Sequence, residues 1–291
     1  MSFTTFVQQL FNGLSQASIY ALVAAGVTVV FGLTRLVNFA HGEIVAIGAY
    51  TVFVLSPDGG GGFLIGLLGA LLVTGIVSFV LERGLFQFTI EKPVNGFLVS
   101  LGLILVIQNA LIWQYTVLPK HVEPAFTVVW TVGDVRISAM RVLVIVVTLV
   151  TFAVLAFITS RSWYGMAARA AAMDREMLGM TGVPVRRVIT GTFVVGGMLG
   201  GLAGAFIAEL NDITPLVGFE VILKAFAIAI VGGLGSIGGA VAVAGIFGVF
   251  EAMAIGLGAG DWVSVMLFAV LVLMVLVRPR GLFRGTEATV E

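Results

Sequence analysis

The sequence predicts an all-α polytopic membrane protein of about eight or nine transmembrane helices, each near the ~20 apolar residues that a bilayer crossing needs. Three observations carry this. Of 291 residues, 59% are hydrophobic and 10% charged, against roughly 45–50% and about 25% in ordinary globular domains. The apolar residues are gathered into runs that reach or approach spanning length. Finally, the 38 glycines lie inside those runs as well as between them, and small residues are what let membrane helices approach closely. The simplest count is a single membrane domain over residues 1–291.

In chain order, residues 1–11 are polar to mildly amphipathic and suit the interface. No Lys or Arg precedes Arg35, so the first apolar run reads as a retained span and not as a signal peptide, which needs a basic leader. Span 1 covers Gly13–Leu33, with Ala17, Ala21 and Ala25 as a narrow ridge. Span 2 covers Val37–Leu55 and contains Asn38, His41 and Glu43; a Pro/Asp/Gly turn follows over Ser56–Gly62. Span 3 is Phe63–Leu81. A charged connection over Glu82–Pro93 leads to span 4, Phe97–Val117, with Gln108 and Asn109 near its middle. The polar loop Pro119–Ser138 contains an alternating segment suited to a small hairpin. Span 5 is Arg141–Thr159, and the polar island Tyr164–Val188 follows. Span 6, Ile189–Ala208, carries two overlapping GxxxG pairs, Gly197/Gly201 and Gly200/Gly204. Span 7, Phe219–Val231, is short and contains Glu220 and Lys224, whose i, i+4 spacing suits a local ion pair. The glycine-rich break Gly232–Gly239 precedes span 8, Ala240–Gly256, in which Ala240, Ala244 and Gly248 repeat the small-residue ridge. Span 9 is Trp262–Val277, and a basic tail with Arg278, Arg280 and Arg284 follows.

Basic residues concentrate in alternate loops: Arg35, Arg83/Lys92, Arg161–Arg187 and the tail; the Pro119–Ser138 loop of the other set is a mild exception, its Lys120 and Arg136 balanced by Glu123 and Asp134. By the excess of Lys and Arg on the cytoplasmic side, the basic set faces the cytoplasm, the N-terminus lies outside and the C-terminus inside.

Several chemistries are excluded. Net charge is zero, so no electrostatic case exists for nucleic acid. Cysteine is absent and only His41 and His121 are present, which argues against thiol chemistry and a His-based metal cluster. The sequence has no Gly-Lys pair and hence no P-loop. A formal GxGxxG at Gly233, Gly235 and Gly238 lies between two apolar runs, where no soluble βαβ unit surrounds it. No cofactor and no catalytic residues are expected.

Intramembrane polar groups are costly and must pair, snorkel or face a cavity. Asn38 and His41 share a helical face with Val45 and Gly48, while Glu43 lies on another face with Phe39, Ile47 and Tyr50. That polar face is a candidate wall for a translocation path, Glu43 is a further path candidate that could instead pack against another helix, and positioning at the interface is the alternative for all three. Glu251 either snorkels or faces the interior. In the polar island, Ala167–Met180 is rich in strong helix formers, with Gly165 before it and Gly179, Gly182 and Pro184 near its end. Met166, Ala170, Met173 and Met177 fall on one stripe, an adaptable surface for docking. A helix lying on the membrane, or a solvated loop, would share this composition.

Three blocks then show a family resemblance. Asn38–Tyr50 (NFAHGEIVAIGAY), Arg169–Val188 (RAAAMDREMLGMTGVPVRRV) and Gly232–Gly245 (GGLGSIGGAVAVAG) resemble, in order, the signatures of the permeases of high-affinity branched-chain amino acid ABC transporters. NFAHGE is similar to the first of that family's two paired permeases. The resemblance implies a bacterial or archaeal inner-membrane subunit of an ATP-driven importer with no ATP site of its own. Its implied partners are two ATP-binding cassette subunits at the cytoplasmic face, a second permease chain or a second copy, a soluble periplasmic or extracellular binding protein, and lipid. It also implies that Tyr164–Val188 is a coupling segment, with Arg169, Asp174, Gly179 and Gly182 shaping and docking a helix. Urea and short-chain amide permeases share these blocks and remain an alternative. So does an ion-driven carrier using Glu43, Glu209 or Glu251.

Overall fold

In the computed structural model, which describes residues 3–56, 62–278 and 282–283, the chain folds into helices joined mostly by short connections, with one long connection between Tyr115 and Ala139. They are α1 (Phe3–Thr34), α2 (His41–Leu55), α3 (Phe63–Gly84), α4 (Pro93–Tyr115), α5 (Ala139–Arg161), α6 (Trp163–Met173), α7 (Arg175–Met180), α8 (Val185–Leu210), α9 (Val217–Gly232), α10 (Ile237–Gly256) and α11 (Val263–Val277). One antiparallel hairpin, β1 (Val129–Val132) and β2 (Val135–Ser138), forms in the loop where alternation predicts it. Gly133 takes a φ of 63° in its two-residue turn, a conformation glycine adopts without steric cost. Most of the turn expected over Ser56–Gly62 and most of the basic tail, including Arg280 and Arg284, lie outside the described residues.

Among the described residues, 6 helices are long and apolar enough to cross a membrane: α1, α3, α4, α5, α8 and α10. Helices α2, α9 and α11 correspond to three further expected spans but have only 15, 16 and 15 residues. The core of the bundle is α1 and α8, each with 78% of its apolar window buried, whereas α4 and α5 are 17% and 11% buried and form the periphery.

Glycine explains how α8 occupies the centre. Its GxxxG pairs point in two directions: Gly197 and Gly201 lie against Ser78 and Thr74 of α3, and Gly200 and Gly204 lie against α2. A Cβ on Gly204 would run into the Val45 carbonyl and stand 2.8 Å from the Ala49 nitrogen. In lipid, such close packing replaces the hydrophobic drive that holds soluble cores. The second small-residue ridge works in the same way, with Gly248 of α10 seated on the backbone of Ala17 in α1.

Span 2 needs correction. Helix α2 begins at His41, so Asn38 lies in the segment before it and not on a helical face. Arg35 closes α1 with a φ of 54°, and Leu36, Asn38 and Ala40 are buried. The Phe39 N–H is taken by Ser100 Oγ of α4 at 3.2 Å, and His41 N reaches only the Asn38 carbonyl, at 3.4 Å. The chain therefore folds back into the bundle before α2 starts, bringing His41 beside Gly26 of α1 and Gly200 of α8. Non-helical backbone at such depth is tolerated where protein or a water-filled cavity surrounds it.

Candidate functional site

The polar island is built as two helices, which corrects the single helix expected over Ala167–Met180. Asp174 takes an extended conformation (φ −153°, ψ 113°) between α6 and α7. Its carboxylate Oδ1 accepts hydrogen bonds from the Glu176 and Met177 N–H groups at 2.9 and 3.0 Å. Asp competes with helical backbone for hydrogen bonds and is among the best N-caps, so it ends one helix and starts the next despite the strong helix formers around it. Ser162 caps α6 by accepting from Gly165 N–H at 3.0 Å. Gly182, with φ 81°, follows the end of α7, a left-handed stop that favours glycine. Gly179 lies within α7 with open space around it.

The buried side of α6 is small: Ala167 and Ala171 pack beside Val188, Ile189 and Phe193 of α8, Phe86, and the end of α1. Away from that packing, Met166 and Met173 of α6 and Met177 and Met180 of α7 are 59%, 66%, 62% and 82% exposed. Arg169 and Asp174 are exposed as well. Tyr164, not singled out by the sequence, ties α6 to α8: its hydroxyl donates to the Val188 carbonyl at 2.6 Å and lies 3.1 Å from Thr192 Oγ1. Burial pushes the Tyr164 hydroxyl above its ordinary pKa. Its only advance signal is a lone tyrosine at the start of the island. Tyr164→Phe is expected to lower stability by about 1 kcal/mol, the net worth of one hydrogen bond, read as a shift in thermal melting of the purified protein.

Beside α7 a cavity of about 480 Å³ opens between the α3–α4 connection and the start of α8, with Gln87, Glu91, Arg175, Glu176 and Arg186 on its walls. Desolvation lowers the Arg175 pKa from its ordinary value, and nearby Arg35 lowers it further.

Around the start of α2, polar groups are buried without full partners. Asn38, His41 and Glu43 are 6%, 2% and 0% exposed. Asn38 Oδ1, His41 Nε2 and Glu43 Oε2 have no hydrogen-bond partner among the described residues. Glu43 faces α4, where Gln108 Nε2 donates to its other oxygen at 3.0 Å, and Tyr50 on the same side stacks on Tyr115 at 4.7 Å. His41 points instead between α1 and α8. The structure thus brings Asn38, His41 and Glu43 to one end of α2 and leaves Arg169, Asp174, Gly179 and Gly182 on a separate surface.

The local Glu220–Lys224 pair is also corrected. Lys224 Nζ of α9 instead donates to Glu251 Oε1 of α10 at 2.8 Å and to the Tyr20 hydroxyl of α1 at 2.9 Å, while Tyr20 donates to Glu251 Oε2 at 2.5 Å. Glu251 faces the interior, and Glu220 is exposed. A buried carboxylate on a neighbouring helix offers a less screened attraction than an exposed one on the same helix. The third carboxylate considered for ion coupling, Glu209, accepts from Ala125 N–H at 2.8 Å. Nearby, His121 Nδ1 lies 2.8 Å from Asp212 and backbone pairing joins Lys120 to Ile213, which fastens the hairpin loop to the α8–α9 connection.

Comparison with known proteins completes these observations. The model of the family described as branched-chain amino acid transport system / permease component matches residues 9–275. The high-affinity branched-chain amino acid transport system permease protein LivH of Escherichia coli K12 is 31% identical over 300 residues, covering 98% of this chain and 97% of LivH. BraD of Pseudomonas aeruginosa, which bears the same description, is 31% identical over 303 residues, 97% of each chain. A probable LivH of Methanocaldococcus jannaschii is 23% identical over 293 residues, 91% of this chain and 89% of that protein. No solved structure matches.

Proposed function

The chain belongs to the family of branched-chain amino acid transport permeases, and from that premise we propose that it is the membrane-spanning subunit of an ATP-driven importer of leucine, isoleucine and valine. A soluble binding protein delivers substrate to the outer face. Two ATPase subunits act from the cytoplasmic face, and a second permease chain, or a second copy, completes the path. The single observation that carries the reading is likeness to LivH along nearly the whole of both chains.

In this reading residues 1–291 form one transmembrane domain of the inner membrane, with the N-terminus outside and the C-terminus in the cytoplasm. The shorter helices α2, α9 and α11 cross with the six long ones. Helices α6 and α7 are the coupling element. Exposed Arg169 and Asp174 meet the ATPase, the methionine surface adapts to it, and Gly182 lets the chain turn back toward α8. Tyr164 and the alanine face of α6 carry motion of the coupling element into α8, which packs on both α2 and α3. Asn38, His41 and Glu43, with unfilled hydrogen-bonding capacity at the inner start of α2, line the path.

The test is reconstitution in proteoliposomes with the binding protein, both ATPases and the second permease. Leucine uptake is expected to require ATP and the binding protein. Gradient-driven uptake by this chain alone without ATP would overturn the proposal in favour of an ion-driven carrier. ATP-dependent uptake of urea or a short-chain amide in place of leucine would overturn the substrate assignment and leave the coupling reading intact.

A further inference from the structure

The cluster of Tyr20, Lys224 and Glu251 has no role in the coupling element or at the start of α2, yet it places a cation and an anion inside the bundle. Tyr20 is 2% exposed, and the Lys224 and Glu251 side chains are 26% and 12% exposed. Charges within membrane spans are rare and mark substrate or ion pathways unless they merely fasten helices. Fastening is already supplied here. Helices α1 and α10 are in backbone contact through Ala17 and Gly248, and α9 and α10 through Gly232 and Gly239. Such close approach of small residues holds membrane helices without ionic groups.

The accessible side of the cluster is informative. Lys224 lies one helical turn after Glu220, with Leu223 beside it; Glu220 is exposed and Leu223 and Lys224 are partly exposed. A helix face bearing an exposed carboxylate and a reachable ammonium is suited to water or protein and not to lipid. Of the pair, Lys224 has the more exposed side chain and Glu251 the less exposed one.

We propose that Lys224 and Glu251, assisted by Tyr20, form a relay point that binds the charged head of a zwitterionic amino acid during passage. The substrate carboxylate takes the Lys224 ammonium, and the substrate ammonium takes the Glu251 carboxylate. Binding exchanges one ion pair for two, so every charge stays compensated and no net charge is added to the membrane interior. The Tyr20 hydroxyl, which both accepts from Lys224 and donates to Glu251, holds the two groups in place when the substrate leaves. The inference rests on the reading of the chain as an amino acid permease subunit.

Two experiments on the fully assembled transporter test it, with wild-type ATP-dependent leucine uptake measured alongside. If the wild type fails to import leucine, the functional reading fails before this one is reached. In the double variant Lys224→Gln/Glu251→Gln, amides keep hydrogen-bonding capacity but carry no charge. Its copurification with the partner subunits and its melting temperature are expected to match the wild type, while leucine uptake falls by about tenfold or more, as losing hydrogen bonds to charged groups does. Uptake at the wild-type rate would show that the cluster only fastens helices and would overturn the proposal. The second experiment leaves the cluster intact and does not depend on the double variant folding. The chain contains no cysteine, so Leu223→Cys introduces a single thiol on the same face. A membrane-impermeant thiol reagent is expected to label it, and leucine with the binding protein and ATP to slow labelling severalfold. A thiol that stays unlabelled, or is labelled at a rate indifferent to leucine, would overturn the proposal.

Discussion

Gly204→Val is expected to prevent stable folding of the bundle. The backbone of Gly204 lies so close to α2 that a Cβ would meet the Val45 carbonyl oxygen and the Ala49 nitrogen. Both are main-chain atoms, so no rotamer change relieves the clash, and α2 would have to move away from α8. Overpacking costs typically ~1–3 kcal/mol and occasionally more, and native stability is only about 5–15 kcal/mol. A rigid clash at the centre of the bundle belongs at the upper end. The expected result is loss of the monodisperse detergent-solubilised protein, or a melting temperature far below wild type. Gly102→Val is the control, because Gly102 is exposed on α4 and a side chain there meets nothing within 4 Å. Equal melting of the two variants would show that α2 and α8 are not held by this contact.

If α6 and α7 couple to ATPase subunits as proposed, Arg169→Ala/Asp174→Ala is expected to abolish both copurification of those subunits and ATP-dependent transport, with little effect on melting. Both side chains are exposed, so the bundle does not depend on them. Helix α7 does depend on Asp174. It has 6 residues and none is buried, so little besides its cap orders it, and losing an Asp cap costs typically about 1 kcal/mol. Fraying α7 disperses Met177 and Met180, and loss of Arg169 removes a charge from the adjoining surface. Asp174→Asn separates the two contributions, since Asn caps as well as Asp. If capping is what matters, Asn restores copurification in the Arg169→Ala background; if the charge matters, it does not. Wild-type ATPase binding and transport in the double alanine variant would remove Arg169 and Asp174 from the coupling surface.

The polar island shows how local preferences compete. Its composition favours helix from Ala167 to Met180, yet one Asp divides it because a side-chain cap satisfies N–H groups that a short helix otherwise leaves open. The Asp was visible, but helix propensity alone smooths over a single capping residue. Met166, Met173 and Met177 of the predicted stripe are exposed, although the extended Asp174 interrupts the single helix that would have aligned them. The start of α2 was hidden for a different reason. Apolar content runs through Val37, and only the Ser100 hydroxyl on another helix reveals why Phe39 leaves the helical ladder.

Membrane class, the order of the apolar helices, the glycine and alanine ridges, the hairpin and the family signatures were all legible before any helix was packed against another. Apart from the family signatures, which rest on resemblance in three blocks, these follow from composition and periodicity, which act over one element at a time. Packing between helices is what makes α8 the hub, joins Tyr164 of α6 to α8, and pairs Lys224 with Glu251, 27 positions away, in preference to Glu220, four positions away on its own helix. The physical reason is that an ion pair's strength depends on burial and approach, and those are properties of three helices packed together and not of a spacing along one.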